Sequence, residues 1–193
     1  MARKYELRKR AERQEDTRRR IVEAAVDLHG TVGPVKTTVS AIADRAGVQR
    51  HTYYRHFPDD RSLMLACSGL YASRNPLPDP DPWRAVADPD TRLRRGLDEL
   101  YAYYESNEPM LSNVTRDAEI DPLTAEAAEL RFGPGREAIR AVLAKGRRSK
   151  RALALLDVAL AFSTWRMLVC YGGLSRKEAV ETMVAAVRCA SSV

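Results

Sequence analysis

Between one glycine or proline and the next, the apolar residues of this 193-residue chain recur at three- and four-residue intervals, with no strand-like alternation. That period belongs to helices burying one face, so the sequence predicts an all-α fold. The first stripe is Ile21, Val22, Ala25, Val26 and Leu28, stopped by Gly30 and by Gly33-Pro34. Thr37 and Thr38 offer N-cap hydroxyls to a second, two-turn helix with Val39, Ile42, Ala43 and Ala46 inward, and Gly47 ends it. Residues 48–57, VQRHTYYRHF, then predict a third short helix on which Tyr53 and Phe57 share a face, while arginines, histidines and a glutamine occupy the others.

Beyond residue 58 the stop signals space out further helices. Pro58 and Asp59-Asp60 open a fourth, and the proline-rich NPLPDPDPW of residues 75–83 breaks it. Asp88-Pro89 start a fifth, with Leu93, Leu97, Leu100, Tyr101 and Tyr104 on one stripe, limited by Pro109. Asp121-Pro122 repeat that start, and FGPG at 132–135 is expected to interrupt before a helix through REAIRAVLAKG. Residues 152–171 read as a helix apolar on nearly every face; Asp157 and Arg166 interrupt any membrane-length run, so it needs cover from the chain or a second subunit. Ser175 and Glu178 form a capping box for the last helix, with Ala179, Val180, Met183, Val184 and Val187 inward.

The formal net charge of +6 is confined to the first third: residues 1–57 hold 13 Lys and Arg against 7 Asp and Glu, whereas residues 58–193 hold 19 against 19. The asymmetry points the amino-terminal segment toward a polyanion and leaves the rest a neutral body. Three widely spaced cysteines, Cys67, Cys170 and Cys189, argue against a disulfide framework, and with His29, His51 and His56 they make no metal-ligand spacing. No nucleophile and base pair, P-loop lysine or G-x-G-x-x-G spacing stands out, so no enzyme activity, metal or cofactor is expected. The charged opening residues lack the apolar stretch of a secretory signal, and a cytoplasmic protein with no membrane partner is expected.

Three helices, the second and third joined by a glycine turn and the third studded with polar side chains, have the form of a helix-turn-helix. In that arrangement the third helix enters the DNA major groove with its leading turn toward the base edges. Arg50 is the candidate base reader, bidentate to guanine O6 and N7, with Gln49 and His51 on the same turn. Thr52, Tyr54 and His56 are candidate donors to phosphate oxygens, contacts that fix orientation, and Thr38 and Ser40 at the head of the second helix are further candidate DNA contacts.

The stretch TTVSAIADRAGVQRHTYYRHFPDDRSL, with the helix before it from Thr17, resembles the DNA-binding signature of TetR-type transcriptional repressors. The resemblance rests on Thr37-Thr38, Ile42-Ala43, Ala46-Gly47-Val48, and Thr52, Tyr54, His56 and Phe57 in order. It implies a basic arm at 1–16, a three-helix helix-turn-helix domain at 17–58 and a helical ligand-binding and dimerisation domain at 59–193. It also implies a homodimer joined through the last two helices and released from a palindromic double-stranded operator by a small molecule. Three positions depart from the family pattern, which usually has an aliphatic residue in place of Tyr53, a phenylalanine in place of His29 and a lysine in place of Asp60. A lysine there reaches phosphate; an aspartate repels it and is expected to cap its own helix instead. Arg61, one step on, and the basic arm, on phosphates or in the minor groove, are the candidate replacements.

The second domain offers less chemistry to read. Tyr101, Tyr104, Met110 and Trp165 suit an apolar pocket between helices, and Asn107, Arg116 and Arg166 are candidates to orient a ligand there. The same aromatics at helical spacing equally suit a core. The rival reading is a helical small-molecule-binding or catalytic protein whose basic arm meets nucleic acid through charge alone.

Overall fold

The computed structural model describes residues 2–191. In chain order its helices are α1 (Ala2–Thr31), α2 (Val39–Ala46), α3 (Arg50–His56), α4 (Asp60–Arg74), α5 (Pro89–Ala118), α6 (Pro122–Ala144), α7 (Lys150–Leu160), α8 (Phe162–Arg166) and α9 (Arg176–Cys189). A 3-10 turn, Asp81–Ala85, precedes α5, and a π turn, Met167–Tyr171, follows α8. No described residue lies in a strand. The fold is all-α, as the apolar period predicts.

Most helix starts have a capping side chain. Thr38 accepts from the Ala41 N–H at 3.1 Å, Asp88 from Thr91 at 2.7 Å and Asp121 from Thr124 at 2.9 Å, and Ser175 with Glu178 completes the expected box. Each satisfies N–H groups that a helix terminus would otherwise leave unpaired, worth about 1 kcal/mol per cap. At α4 the cap is Asp59, which accepts from Ser62 at 2.7 Å; Asp60, expected to cap, stands one residue later in the first turn.

Five expectations need correction. The arm is continuous with α1, because residues 5–16 contain no glycine or proline, are rich in helix formers and add an i,i+4 pair, Arg8–Glu12 at 2.9 Å. Pro109 does not end α5, and FGPG does not interrupt α6, which carries Pro134 inside it. The tail of the proline-rich stretch is the 3-10 turn, which buries Trp83 completely. Residues 152–171 are broken at Ala161, where the chain bends by 66°.

By packing the chain forms two compact units, Met1–Asn75 with Pro109–Arg131, and Pro76–Glu108 with Phe132–Val193. Their borders coincide with the breakers Asn75-Pro76, Pro109 and Phe132-Gly133-Pro134, so these breakers mark changes of packing partner inside or between helices. This grouping differs from a division at residue 58: α4 and the second part of α5 pack with the first three helices.

The first unit has a core of Ile21, Val22 and Ala25 from α1, Ile42 and Ala46 from α2, Tyr53 and Phe57, and Leu63 and Cys67 from α4. The last turns of α5 clamp the α1–α2 loop onto it. The Asn113 amide donates to the carbonyls of His29 and Gly30 at 3.1 and 2.9 Å. Arg116 donates to the Val32 carbonyl at 3.0 Å, and Asp117 accepts from the Val35 N–H at 2.9 Å.

In the second unit Leu93, Leu97 and Tyr101 of α5, Ile139 and Leu143 of α6, Leu156 of α7 and the inward stripe of α9 are all buried. Gly96 has no room for a Cβ, which would lie 2.7 Å from Leu143. Where α7 stops, the hydroxyls of Tyr101 and Tyr104 donate to the carbonyls of Ala159 and Leu160 at 2.9 and 2.6 Å, satisfying groups the broken helix leaves free. No single described helix is long and apolar enough to cross a membrane.

Candidate nucleic-acid interface

The presentation of α3 begins with the turn that precedes it. Gly47 sits at φ +63°, its N–H donates to Asp44 at 3.1 Å and the Val48 N–H to Ala43 at 2.9 Å, the paired bonds that end α2 in a left-handed residue. Arg20 donates to the Ala46 carbonyl at 3.1 Å and ties the same turn to α1. On α3 itself Tyr53 and Phe57 are both 1% exposed, with ring centroids 6.1 Å apart, and the Arg18 guanidinium lies 4.9 Å over the Phe57 ring. Burying these two aromatics anchors the helix and leaves its opposite side to solvent.

That side carries the chemistry. Arg50 is the first residue of α3, exposed and in no ion pair among the described residues, and Tyr54 lies four residues on, 47% exposed. His51 and Arg55 form the adjacent exposed stripe. Gln49 is the exposed residue preceding the helix, and it makes no capping bond. Thr52 is half-buried, its hydroxyl 3.3 Å from His51 Nε2. Thr38 and Ser40 are exposed at the head of α2, and the Thr38 oxygen, accepting from Ala41, keeps its own proton to donate.

His56 differs from its expected role. Its Nε2 is buried without a hydrogen-bond partner, and burial, then Arg55 and Arg18, lowers its pKa, so it offers a neutral ring with one nitrogen withdrawn. Arg55 was not among the sequence-predicted contacts, although its place four residues after His51 was a sufficient signal. Arg61 does not stand in for a phosphate-binding lysine at Asp60: it is ion-paired with Glu126. From Tyr5 to Arg20 the first helix is mostly exposed, with Arg8 paired to Glu12 and Arg19 to Asp16 at 2.6 Å.

Residues 21–67 match the family model of bacterial regulatory proteins, tetR family. This segment is a DNA-binding domain of the TetR-family type. A helix-turn-helix-type transcriptional regulator of Mycobacterium tuberculosis, itself uncharacterized, is 47% identical over 51 residues, covering 26% of this chain and 27% of that one, and the Mycobacterium bovis counterpart matches equally. The chain thus spans about a quarter of the length of the curated relatives it matches. Solved structures extend the likeness along the chain. A TetR-family regulator from Mesorhizobium loti, so far putative, has a TM-score of 0.64 at 18% identity, covering 93% of this chain and 97% of its own. One from Streptomyces coelicolor has 0.62 at 21%, covering 91% and 80%, and the hemolysin II transcriptional regulator HlyIIR has 0.65 at 18%, covering 90% and 97%. At such identities these show a shared fold.

The candidate ligand residues divide between the two units. Tyr101, Tyr104 and Trp165 are buried together in the second, Tyr104 lying 5.4 Å from the Phe162 ring and 6.0 Å from that of Trp165. Asn107 is buried and donates to the Tyr103 carbonyl at 2.8 Å, and Arg166 lies 3.7 Å from Glu108. Met110 and Arg116 belong to the first unit, where Met110 packs beside Gly30 and Arg116 is held by Asn113, Asp117 and Val32. Among the described residues no group of three metal-ligating side chains gathers.

Proposed function

We propose that the protein is a sequence-specific DNA-binding transcriptional regulator, a homodimeric repressor released from a palindromic operator by a small molecule. The observation that carries this reading is α3, anchored by buried Tyr53 and Phe57 and presenting unpaired Arg50 at its leading turn. Arg50 reads guanine, Gln49 and His51 flank it, and Thr38, Ser40, Thr52, Tyr54 and the remaining nitrogen of His56 hold phosphates. Description of the mycobacterial relatives as helix-turn-helix-type transcriptional regulators supports this for the matched domain.

Two copies of α3 reading one operator must lie about 34–36 Å apart, or a multiple of that. The π turn between α8 and α9, the last two helices, carries exposed Met167 and Tyr171, apolar surface suited to a second copy of the chain. An effector among the aromatics around Tyr104 and Trp165, oriented by Asn107 or Arg166, would favour a spacing that no longer fits, worth about 1–3 kcal/mol of coupling.

The test is fluorescence anisotropy against DNA flanking the gene and a random-sequence selection, at two salt concentrations with scrambled competitor. Tight binding to one palindrome that persists as salt rises is the expected result. Binding that ignores sequence and vanishes with salt, unchanged by Arg50→Ala, supports instead a helical protein with a charged arm.

A further inference from the structure

His29, Tyr53 and Asp60 line one cavity in the first unit. It measures about 450 Å³, and it is bounded by the end of α1, the α1–α2 loop, α2, α3, the start of α4 and the α5–α6 turn. That volume lies within the range of about 300–1,000 Å³ usual for small-molecule sites. Its walls are aliphatic, Ile42 and Leu63 among them, and Asp60 and Asp121 add two carboxylates. No lysine or arginine is among its lining residues, and Arg61, beside it in sequence, is held by Glu126.

Two largely buried residues on its wall each carry a polar atom that makes no hydrogen bond among the described residues. Tyr53 is 1% exposed and its hydroxyl has no hydrogen-bond partner among the described residues. His29 has Nδ1 3.7 Å from the Cys67 sulfur, while its other ring nitrogen makes no hydrogen bond there. Burial holds the imidazole pKa down to about 4, so near neutral pH His29 carries no charge to repel a cation. Asp121 already serves as the α6 cap through Oδ2, yet its negative charge still acts on the cavity.

We propose that this cavity binds a small amphiphilic cation, a protonated amine on an apolar body. The ammonium pairs with Asp60 and Asp121, the Tyr53 hydroxyl and the His29 ring add polar contacts, and the aliphatic walls take the apolar body. An occupant touches α2, α3 and α4 at once, and Tyr53 is the anchor of the exposed α3 helix. The consequence for DNA rests on the regulator reading above; the binding itself does not, and it is measured without DNA.

The test is calorimetry of the full chain with 4-phenylbutylamine, against 4-phenylbutanol and 4-phenylbutyrate as neutral and anionic counterparts, with the His29 imidazole resonances followed by NMR. The expected order is amine, alcohol, acid, with the His29 signals shifting on amine addition. Asp60→Asn with Asp121→Asn, which keeps an oxygen for the cap, weakens the amine about tenfold and leaves the alcohol within about twofold. No amine binding up to about 10 mM, equal binding of all three compounds, unmoved His29 signals, or a double variant that binds the amine undiminished overturns the proposal.

Discussion

Single residues set the sharpest expectations. His29 is buried with its pKa lowered to about 4 by desolvation, Asp117 opposing the shift. The unfolded chain therefore takes up a proton below about pH 6.5 that the folded chain refuses until about pH 4. Stability is full above pH 6.5 and falls as pH drops, by about 2–3 kcal/mol at pH 4.5. Urea titrations at pH 7 and pH 4.5 should show that loss, and His29→Phe should abolish most of it. Gly33 has φ +96°, and a Cβ there would lie 2.2 Å from the Arg116 guanidinium and 2.5 Å from Asp117. Gly47, at φ +63°, faces only Arg20 at 3.7 Å. Thermal melts of Gly33→Ala should accordingly show a larger loss than those of Gly47→Ala, which bears only the left-handed penalty of about 1–2 kcal/mol. Arg50→Ala should relax operator specificity by about 1–3 kcal/mol at one base position, read by competition among single-base operator variants.

At the scale of elements, α3 is short and owes its place to packing. Phe57→Ala should destabilise the chain by about 3–5 kcal/mol in denaturant titrations, whereas Tyr54→Ala, on the exposed side, should leave stability within about 0.5 kcal/mol. The extended α1 makes a separate claim. As a 30-residue helix it is about 45 Å long, so its basic residues are spaced along a rod. Replacing Arg10, Arg13 and Arg18 by Gln should lower the salt slope of DNA binding by about 1 per lost phosphate contact while preserving base preference. Element ends were largely legible: Thr38, Asp88, Asp121 and Ser175 act as caps where spacing placed them. Proline was misleading for the opposite reason. A proline removes one N–H and disfavours the preceding turn, but packing along the rest of α5 and α6 outweighs that local penalty at Pro109 and Pro134.

At the scale of the molecule, the proposed dimer places Met167 and Tyr171 against a second copy. Met167→Glu with Tyr171→Glu should shift sedimentation toward monomer and weaken palindrome binding, leaving binding to a single half-site unchanged. The helical class, most helix starts, the inward faces of α1, α2, α5 and α9 and the polar face of α3 were all determined by sequence alone. Each depends on periodicity or on a capping contact within about four residues, and such information is written locally. Only the tertiary structure decided that Arg116 and Asp117 clamp a loop more than 80 residues away, that Tyr101 and Tyr104 close a broken helix, and that His29, Tyr53 and Asp60 share one cavity. Those outcomes depend on which buried polar group meets which partner, and spacing along the chain carries no record of a partner brought close only by folding.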